Sequence, residues 1–318
     1  MNISIVIPTY NRRDLLERCL SSLLNQDYPR NKYEIIVVDD CSKDNTKELV
    51  KKLQLKNKNI RYIRHEKNKG VAAARNTGIK NSKGRIIAIV ADDYILPKDY
   101  IKTIIRSFRN KNISLVNFRI IGDNNNFISK IFQNYKDYGL FVSVYEKKNS
   151  SFFIKIPSKK ILKKSKIIPA SGAAAFKKQI FKKFGFFDEN LRTGEDTDFG
   201  YRLDKSDIRI YYNNYINVHH RYRNNFLRMM KQLFGYGESC YYIKKKNSNC
   251  EIVIPNDFAN FLRLIIEIFY RPIQRCRYLK SLREIIIYYP FFFLLDLSRV
   301  FGIFYGYKED VFNSNTNI

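Results

Sequence analysis

The chain has 318 residues, enough for one large domain or a domain with an appendage, and 45% of them are hydrophobic, which excludes general disorder. Lys and Arg number 58 against 30 Asp and Glu, and the net charge of +28 favours nucleic acid, an anionic membrane surface or phosphorylated substrates as partners. The five cysteines have no C-x-x-C spacing, which predicts reduced thiols in a cytosolic protein. No basic segment or cleavage site precedes the first apolar run, so no signal peptide is expected.

Strands and helices alternate along the first 121 residues. Apolar runs predict strands at 3–7, 33–38, 60–65, 85–90 and 113–121. Near-continuous apolar strands joined by helices of about three turns predict a mostly parallel, Rossmann-like α/β sheet with helices on both faces. Asn11 is expected to cap the first helix, and Pro97 to open a helix that ends at Phe108.

Polar side chains follow three of these predicted strands. Thr9-Tyr10-Asn11 follows the first strand, Asp39-Asp40 the second and Asp92-Asp93 the fourth. Ligands of parallel sheets bind beyond the carboxyl ends of the strands, so we expect the three groups to converge on one edge. Adjacent carboxylates repel unless a cation offsets them, and Mg²⁺ or Mn²⁺ takes such ligands together with substrate phosphate. The sequence therefore predicts a metal–diphosphate site.

Glycine-rich phosphate loops are missing from the sequence. No G-x-G-x-x-G follows the first strand, and no G-x-x-x-x-G-K-[ST] occurs anywhere, which argues against a dinucleotide dehydrogenase and a P-loop enzyme. Phosphate would then be bound by a metal and by basic side chains, for which Arg75 is a candidate.

A second acidic cluster and a histidine pair lie in the second half of the chain. Glu195, Asp196 and Asp198 crowd the first turn of a predicted helix, where the helix dipole alone could account for them. A carboxylate held partly out of water among like charges would also have a pKa suited to a general base. His219 and His220 follow a strand predicted at 208–212, and a neutral imidazole there could be a third protein ligand for a metal held by Asp93. A further strand is predicted at 167–176.

Five motifs, in order and with agreeing spacing, resemble those of family 2 glycosyltransferases over roughly residues 1–240. They are IVIPTYNR at 5–12, VVDDCS at 37–42, NKGVAAARN at 68–76, ADD at 91–93, and GFFD at 185–188 followed by GEDTD at 194–198. Each motif is weak alone, but five in order are specific. The resemblance implies the A-type glycosyltransferase fold, a nucleotide-sugar donor, a divalent manganese or magnesium ion, and inversion at the anomeric carbon.

The resemblance also implies roles for individual residues. The nucleoside would be lined by Pro8, Thr9, Tyr10 and Asp39, with Asp39 facing the base and Arg75 near the base or diphosphate. Asp93 would hold the metal, Asp92 would contact the ribose or the metal shell, and His220, or secondarily His219, would complete that shell. Asp196 falls at the position of the general base that deprotonates the acceptor. Many members have Asp where this chain has Ala91, so a lower metal affinity is expected.

The last part of the chain changes character. We predict a catalytic domain at 1–240, with a nucleotide-binding half at 1–121 and an acceptor half at 122–240, and a helical extension at 241–318. The longest uncharged run of the extension, 285–295, has 11 residues, against about 20 for a membrane span. Its aromatic, basic and amphipathic segments favour helices lying in an anionic membrane interface; a helical cap on the core or a dimer surface are the alternatives.

These observations predict an inverting glycosyltransferase on the cytoplasmic face of the cell membrane. Its donor would be a nucleotide-sugar, UDP-linked by default, and its acceptor a polysaccharide or lipid-linked hydroxyl. The alternatives are a nucleotidyltransferase, or a basic non-catalytic relative that binds nucleic acid or membrane. Acidic pairs repel nucleic-acid phosphate unless a metal is present, which argues against nucleic acid. The sequence does not specify the sugar, the acceptor or the oligomeric state.

Overall fold

The structure is a computed structural model that describes residues 2–122, 126–139, 161–162, 172–204, 208, 210–221, 225–247, 252–277, 279 and 281–315. In chain order, the elements are β1 (Ile3–Thr9), α1 (Arg13–Leu24), β2 (Tyr33–Asp39), α2 (Thr46–Lys56), β3 (Ile60–Arg64), α3 (Val71–Lys80), β4 (Ile86–Val90), β5 (Tyr94–Ile95), α4 (Tyr100–Ser107), β6 (Leu115–Gly122), α5 (Phe127–Gly139), β7 (Ile161–Leu162), β8 (Ala173–Lys177), α6 (Gln179–Phe184), α7 (Glu195–Asp204), β9 (Ile210–His220), α8 (Phe226–Lys246), α9 (Phe258–Cys276) and α10 (Leu282–Asn315). They fall into two compact units. The first unit holds the sheet with α1–α4, α6 and α7, and the second holds α5 and α8–α10.

The described strands of the first unit form one sheet in the order β3-β2-β1-β4-β8-β6-β9-β5, with β7 beside β9. β3, β2, β1 and β4 pair in parallel, and β8 runs antiparallel to β4. All seven residues of β1 and all seven of β2 are buried, as their continuous apolar runs require. The predicted mostly parallel sheet with flanking helices is confirmed.

The helices of the first unit pack through apolar faces set by helical spacing. In α1 the buried positions are Leu16, Cys19, Leu20 and Leu23, which recur every three to four residues. α3 lies unusually close to the sheet, because a Cβ at Gly78 would collide with the side chain of Val6 in β1. This close packing fixes the position of α3, which carries Arg75.

Several predicted element boundaries were wrong. α4 begins at Tyr100, and Pro97 lies in the preceding turn, where its carbonyl accepts hydrogen bonds from Tyr100 N and Gln26 Nε2. Asn11 does not cap α1, since its Oδ1 accepts instead from the backbone N–H of Lys43 at 2.7 Å. β9 continues to residue 220, so the two histidines lie within the strand and not after it. The strand predicted at 167–176 is described from residue 172 only, where β8 begins at residue 173, and its earlier part lies outside the described residues.

The second unit is helical, and the predicted helical C-terminal extension is confirmed. α8 and α10 approach each other at two glycines: a Cβ at Gly237 would meet the Arg299 carbonyl, and a Cβ at Gly302 would meet that of Phe234. Larger residues at either position would force the two helices apart. The predicted boundary at residue 240 falls inside α8, which belongs to the second unit.

The core of the second unit also contains a buried ion pair. Arg275 on α9 is bonded to Asp296 on α10, whose other oxygen accepts from Tyr135 OH on α5 at 2.9 Å. Burial lowers the pKa of Arg275 to about 10, so the guanidinium is still charged at neutral pH. Asp296 thus connects α10 to α9 through Arg275 and to α5 through Tyr135, and either charged group would be costly to bury without its partner.

α10 is long and apolar enough between Leu282 and Asp310 to cross a membrane, judged by length and composition only. Of its most apolar stretch, 39% is buried inside the chain, and the core helix of a soluble protein would pass the same test. The charged residues that interrupt this stretch, Asp296 and Arg299, are themselves buried within the second unit.

Candidate active site

The three polar strand ends meet at one edge of the sheet, as the sequence predicted. β1 lies between β2 and β4, with Thr9 in register with Asp39. Thr9 Oγ1 donates a 2.8 Å hydrogen bond to Asp92 Oδ2, and the Thr9 carbonyl accepts from Asp40 N at 2.9 Å. The hydroxyl of Thr9 therefore ties the acidic pair after β4 to the end of β1.

The backbone turns sharply after β1 and after β2. Asn11 (φ 51°) and Cys41 (φ 70°) are the described non-glycine residues with left-handed backbone conformations. Such conformations are uncommon outside glycine and persist where surrounding contacts impose them. Here the two loops hold each other, because Asn11 N donates to Ser42 Oγ at 2.9 Å and Asn11 Oδ1 accepts from Lys43 N. Tyr10, beside this turn, is exposed, whereas Pro8 is buried within β1.

Asp39 is fully buried, and both of its oxygens are hydrogen-bonded. Oδ1 accepts from Ser42 N at 2.7 Å, and Oδ2 accepts from Tyr62 OH at 2.5 Å and from Arg64 Nη1 at 2.9 Å. The carboxylate is thus held in one orientation by a turn amide and by two side chains of β3. A carboxylate has about four acceptor positions, so one remains for a further donor.

Asp40, the second acid after β2, has a structural role. Its oxygens accept from the backbone N–H groups of Lys69 and Gly70, at 2.9 and 2.8 Å, just before α3 begins. His65 Nδ1 lies 2.7 Å from Asp40 Oδ1, and its Nε2 lies 2.9 Å from Thr77 Oγ1. Asp40 therefore fixes the start of α3 and is separate from the Asp92–Asp93 pair.

Asp92 and Asp93 share a cation supplied by the protein. Arg12 Nη1 lies 3.0 Å from Asp92 Oδ1 and 3.1 Å from Asp93 Oδ2. Burial raises the pKa of Asp92 to about 6, with a smaller contribution from the charge of Asp93 and against the opposing effect of Arg12. Burial works against the charge of Arg12, but the two carboxylates outweigh it and raise the pKa of Arg12.

Of the two histidines in β9, His220 approaches the acidic pair. β9 pairs with β5 so that His220 stands opposite Tyr94 and His219 opposite Ile95. His220 Nε2 lies 3.4 Å from Asp93 Oδ2, whereas His219 is exposed, as the alternation of a strand requires. The Tyr94 ring packs on the imidazole with centroids 4.6 Å apart.

The three acids in the first turn of α7 have different surroundings. Asp198 is fully buried and pairs with Arg202 Nε at 3.0 Å, and Glu195 is buried in an ion pair with Arg75. Asp196 is half-buried, and its Oδ1 accepts from Thr197 N at 2.8 Å. Asp196 is thus the most accessible carboxylate of this cluster.

α3 holds the segment that leads into α7. The Asn76 amide makes two hydrogen bonds to the backbone of Phe187, at 2.9 and 3.0 Å. Arg75, beside it, is buried against Glu195 and lies over the Phe187 ring at 5.8 Å. The structure thus places Arg75 against the residue that precedes Asp196, and its predicted contact with the donor stays a prediction.

Removing Arg75 should destabilise the protein, because Arg75 forms a buried ion pair with Glu195. We expect Arg75→Met to lower the free energy of unfolding by about 3–5 kcal/mol, because it leaves Glu195 buried without its counter-charge. Arg75→Met combined with Glu195→Leu should recover most of that loss. Urea denaturation of the single and double variants measures the loss and its recovery. Lys52→Met, at an exposed position of α2, is the control. Equal losses in the single and double variants would contradict the account.

Sequence reasoning assigned no role to Arg12 or Glu195. For Arg12 a signal was available, because two adjacent carboxylates need a cation and the neighbouring strand-end loop carries Arg12 and Arg13. For Glu195 no sequence signal existed, since its pairing with Arg75 spans 120 positions and depends on how α3 and α7 pack.

The divalent cation implied by the resemblance can be tested against these side chains. Among the described residues, no group of three His, Cys, Asp or Glu side chains that could hold a metal ion is found. Asp93 and His220 offer an oxygen and a nitrogen ligand 3.4 Å apart, with Asp92 adjacent. Magnesium and manganese commonly bind through one or two carboxylates and complete their shell with water and substrate phosphate. The donor set fits such an ion.

The sheet and its flanking helices have the A-type glycosyltransferase fold, and sequence comparison identifies the family of the chain. The Glycosyl transferase family 2 profile matches residues 4–185, more than half of the chain. The chain therefore belongs to glycosyltransferase family 2, and the predicted family and enzyme class are confirmed.

Curated relatives match over very different lengths. The dolichyl N-acetyl-alpha-D-glucosaminyl phosphate 3-beta-D-2,3-diacetamido-2,3-dideoxy-beta-D-glucuronosyltransferase of Methanococcus voltae is 28% identical over 83% of this chain and 81% of that protein. Glycosyltransferase AglE of Haloferax volcanii is 38% identical over 29% of this chain and 30% of its own length. The poly(ribitol-phosphate) beta-glucosyltransferase of Bacillus spizizenii is 46% identical over 30% of this chain, but the match spans only 15% of that enzyme.

Solved structures share the fold. The mannosyltransferase PcManGT from Pyrobaculum calidifontis, in complex with GDP-Man and Mn²⁺, has a TM-score of 0.62 at 16% identity, covering 96% of this chain and 86% of that one. TarS 1–349 of S. aureus, in complex with UDP-GlcNAc, has a TM-score of 0.57 at 18% identity, with coverages of 95% and 89%. At these identities the likeness shows the fold alone.

Proposed function

We propose that the chain transfers a sugar from a nucleotide-sugar donor, a UDP-sugar by default, to a hydroxyl group of a polysaccharide or lipid-linked acceptor, with inversion. The observation that carries this proposal is the convergence of Thr9, Asp39 and the Asp92–Asp93 pair at one sheet edge. Named relatives act on dolichyl-phosphate-linked and poly(ribitol-phosphate) acceptors, and structural neighbours bind UDP-GlcNAc or GDP-Man.

The nucleoside half of the donor would bind along the ends of β1 and β2. Pro8 and Thr9 form the floor, and the exposed ring of Tyr10 offers an aromatic face for the base. Asp39 would face the base, and its hydrogen bonds to Ser42, Tyr62 and Arg64 fix its position. Asp92, fixed by Thr9, would contact the ribose. Arg75 would act on this site from α3, near the base or diphosphate.

Asp93 and His220 would hold the divalent cation, with Asp92 at its edge. The cation, when bound, offsets the negative charge that develops on the leaving diphosphate. Asp93 is kept in place by its neighbours, since its carbonyl accepts from Arg221 N at 3.1 Å and its carboxylate contacts Arg12. Its position is therefore set before any ligand binds, which is what an electrostatic site needs.

Asp196 would be the general base. One of its oxygens is oriented by the Thr197 N–H, and the half-buried carboxylate is accessible to an acceptor. It would take the proton of the acceptor hydroxyl as that oxygen attacks the anomeric carbon from the face opposite the diphosphate. Direct displacement requires one base and no protein nucleophile, so the ion-paired Glu195 and Asp198 would only support the position of Asp196.

Arg12 would act as an internal counter-cation of the acidic pair. Because it lies between Asp92 and Asp93, it competes with a divalent ion for the same oxygens. We expect Arg12→Met to tighten Mn²⁺ binding in the absence of nucleotide by about tenfold, which is ~1.4 kcal/mol. Electron paramagnetic resonance of free Mn²⁺ measures this affinity, and Arg12→Lys is the charge-preserving control. Weaker Mn²⁺ binding by Arg12→Met would show that Arg12 orients the carboxylates instead.

A donor screen tests the proposal as a whole. Purified protein is incubated with UDP-, GDP- and dTDP-sugars in the presence of Mn²⁺, Mg²⁺ or EDTA, and release of the nucleoside diphosphate is measured beside nucleotide binding. Metal-dependent release or binding of one nucleotide class supports the proposal. Absence of both, for every donor and metal, would overturn it.

The nature of the acceptor determines where in the cell the enzyme would work. Two relatives are named for a dolichyl-phosphate-linked and a poly(ribitol-phosphate) acceptor. A lipid-linked acceptor on the cytoplasmic leaflet would require the enzyme to work beside the cell membrane. The net charge of +28 and the apolar helices of the second unit fit a peripheral position at an anionic membrane surface.

A further inference from the structure

One face of α9 is an exposed apolar stripe. Five large side chains recur along it at spacings of four, four, three and four residues: Phe258, Leu262, Ile266, Phe269 and Ile273. Phe258 is 79% exposed and Ile266 is 55% exposed. This spacing follows one side of the helix over about four turns, and a contiguous exposed apolar strip of that length marks an interaction surface.

The opposite face of α9 already has its partner inside the second unit. Leu264 and Ile268 are buried in a cluster with Val300 and Ile303 of α10, and Arg275 is buried against Asp296. The face of α9 that packs in the core of the second unit is therefore different from the exposed stripe.

The exposed charges of α9 beside the stripe are positive. Arg263 and Arg277 are exposed within and at the end of the helix. The carboxylate of α9, Glu267, is turned inward, with a side chain only 14% exposed that pairs with Arg271 at 2.8 Å and with Arg299 at 3.3 Å. Within α9, whose every residue is described, no exposed carboxylate accompanies the stripe; the exposed carboxylate nearest in sequence is the N-cap Asp257, which precedes Phe258.

The neighbouring helix repeats this composition. α10 exposes Ile287, Leu294 and Phe301 at seven-residue spacing, with exposed Arg283 before them and Lys308 after them. α10 runs antiparallel to α9, as the ring contacts Phe261–Phe304 and Phe269–Phe293 show.

We propose that the α9 stripe lies in the headgroup region of an anionic phospholipid membrane. An apolar face that carries Phe, Leu and Ile, with exposed Arg263 and Arg277 and one exposed carboxylate at its start, Asp257, matches an interfacial helix. A second copy of the chain is a poor occupant, because each copy has a net charge of +28, whereas anionic lipid is attracted by that charge. The inference rests on the proposed function only in that a lipid-linked acceptor gives the contact a purpose.

Vesicle co-sedimentation of the full chain tests the inference. The probes are phosphatidylcholine vesicles with and without about a third phosphatidylglycerol, at low and high salt. We expect the unaltered chain to bind the anionic vesicles at least about tenfold more strongly than the neutral ones, and high salt to weaken that binding. Ile266→Glu should reduce binding about tenfold or more. Gln274→Glu, which adds the same charge off the stripe on the same helix, should change it less than about twofold.

Nucleotide binding and circular dichroism of both variants show whether they are folded. Equal vesicle binding by Ile266→Glu and Gln274→Glu would overturn the inference. The inference would also be overturned if light scattering showed dimers of the unaltered chain, and if Ile266→Glu dissociated these dimers but left vesicle binding unchanged. Donor hydrolysis is measured in the same samples. Failure of the unaltered chain to bind anionic vesicles, with donor hydrolysis intact, contradicts this inference alone. Vesicle binding as expected, without hydrolysis or binding of any donor, contradicts the proposed function alone.

Discussion

Asp93→Asn is expected to reduce donor turnover by about a thousandfold or more, and to remove the metal dependence of nucleotide binding. Asp93 is the carboxylate that lies within 3.4 Å of His220 Nε2 and shares Arg12 with Asp92. The amide keeps the size of the side chain but removes its charge, so the cation would lose its strongest protein ligand. Release of nucleoside diphosphate, and titration of nucleotide with and without Mn²⁺, measure the two effects.

Asp27→Asn provides the matched control for this change. Asp27 is exposed in the loop after α1, and the same substitution there should leave turnover within about twofold. An Asp93→Asn variant that keeps metal-dependent nucleotide binding would show that the cation is held elsewhere.

Asp196→Asn should reduce transfer to the acceptor by about a hundredfold to ten-thousandfold while leaving donor binding almost unchanged. General-base catalysis contributes about a hundredfold to ten-thousandfold, and the amide cannot accept the proton. Because Asp196 is half-buried at the start of α7 and not at the ends of β1 and β2, nucleotide affinity should change less than about twofold. Product formation with the acceptor, beside nucleotide titration, separates the two quantities.

Asp198→Asn is the contrasting variant two positions along the same helix. Asp198 is fully buried against Arg202, so its loss should lower stability by about 3 kcal/mol or more while the chemistry of the folded fraction is retained. Weakened donor binding in Asp196→Asn, with transfer reduced only in proportion, would contradict the general-base role.

The sheet and the location of the site could be predicted from local patterns. Near-continuous apolar runs such as 33–38 favour burial on both faces, which is typical of a parallel sheet covered by helices. Once the strands are parallel, their polar ends must share an edge, and the contact of Thr9 with Asp92 follows from topology. The choice of His220 over His219 rested on the family resemblance. The register of β9 with β5 explains why His220 is the histidine near Asp93, and its metal-binding role stays a prediction.

The rest depends on contacts between distant parts of the chain. Asn11 was assigned to a helix cap because that is its commonest local use, but the neighbouring loop after β2 offered Lys43 N and imposed a left-handed turn. Arg75 was read as a phosphate ligand from its motif, and the structure shows it buried against Glu195. Neither pairing has a signature in sequence spacing, because both arise where separate elements pack together.

The C-terminal helices show a different limit. In the sequence, Asp296 and Arg299 interrupt the uncharged run of the C-terminal segment. In the structure, both side chains are buried inside the second unit. The exposed surface of α9 and α10 is consequently more apolar than the sequence of the segment indicates. Which side of a helix carries its charges is decided by its neighbours.

A crystal structure of the chain with Mn²⁺ and a nucleotide donor would locate both ligands. We expect an anomalous manganese peak within coordination distance of Asp93 and His220, with the diphosphate beside it and the base at the ends of β1 and β2, near Tyr10 and Asp39. A manganese ion bound away from Asp93, or a nucleotide bound away from this sheet edge, would contradict this expectation.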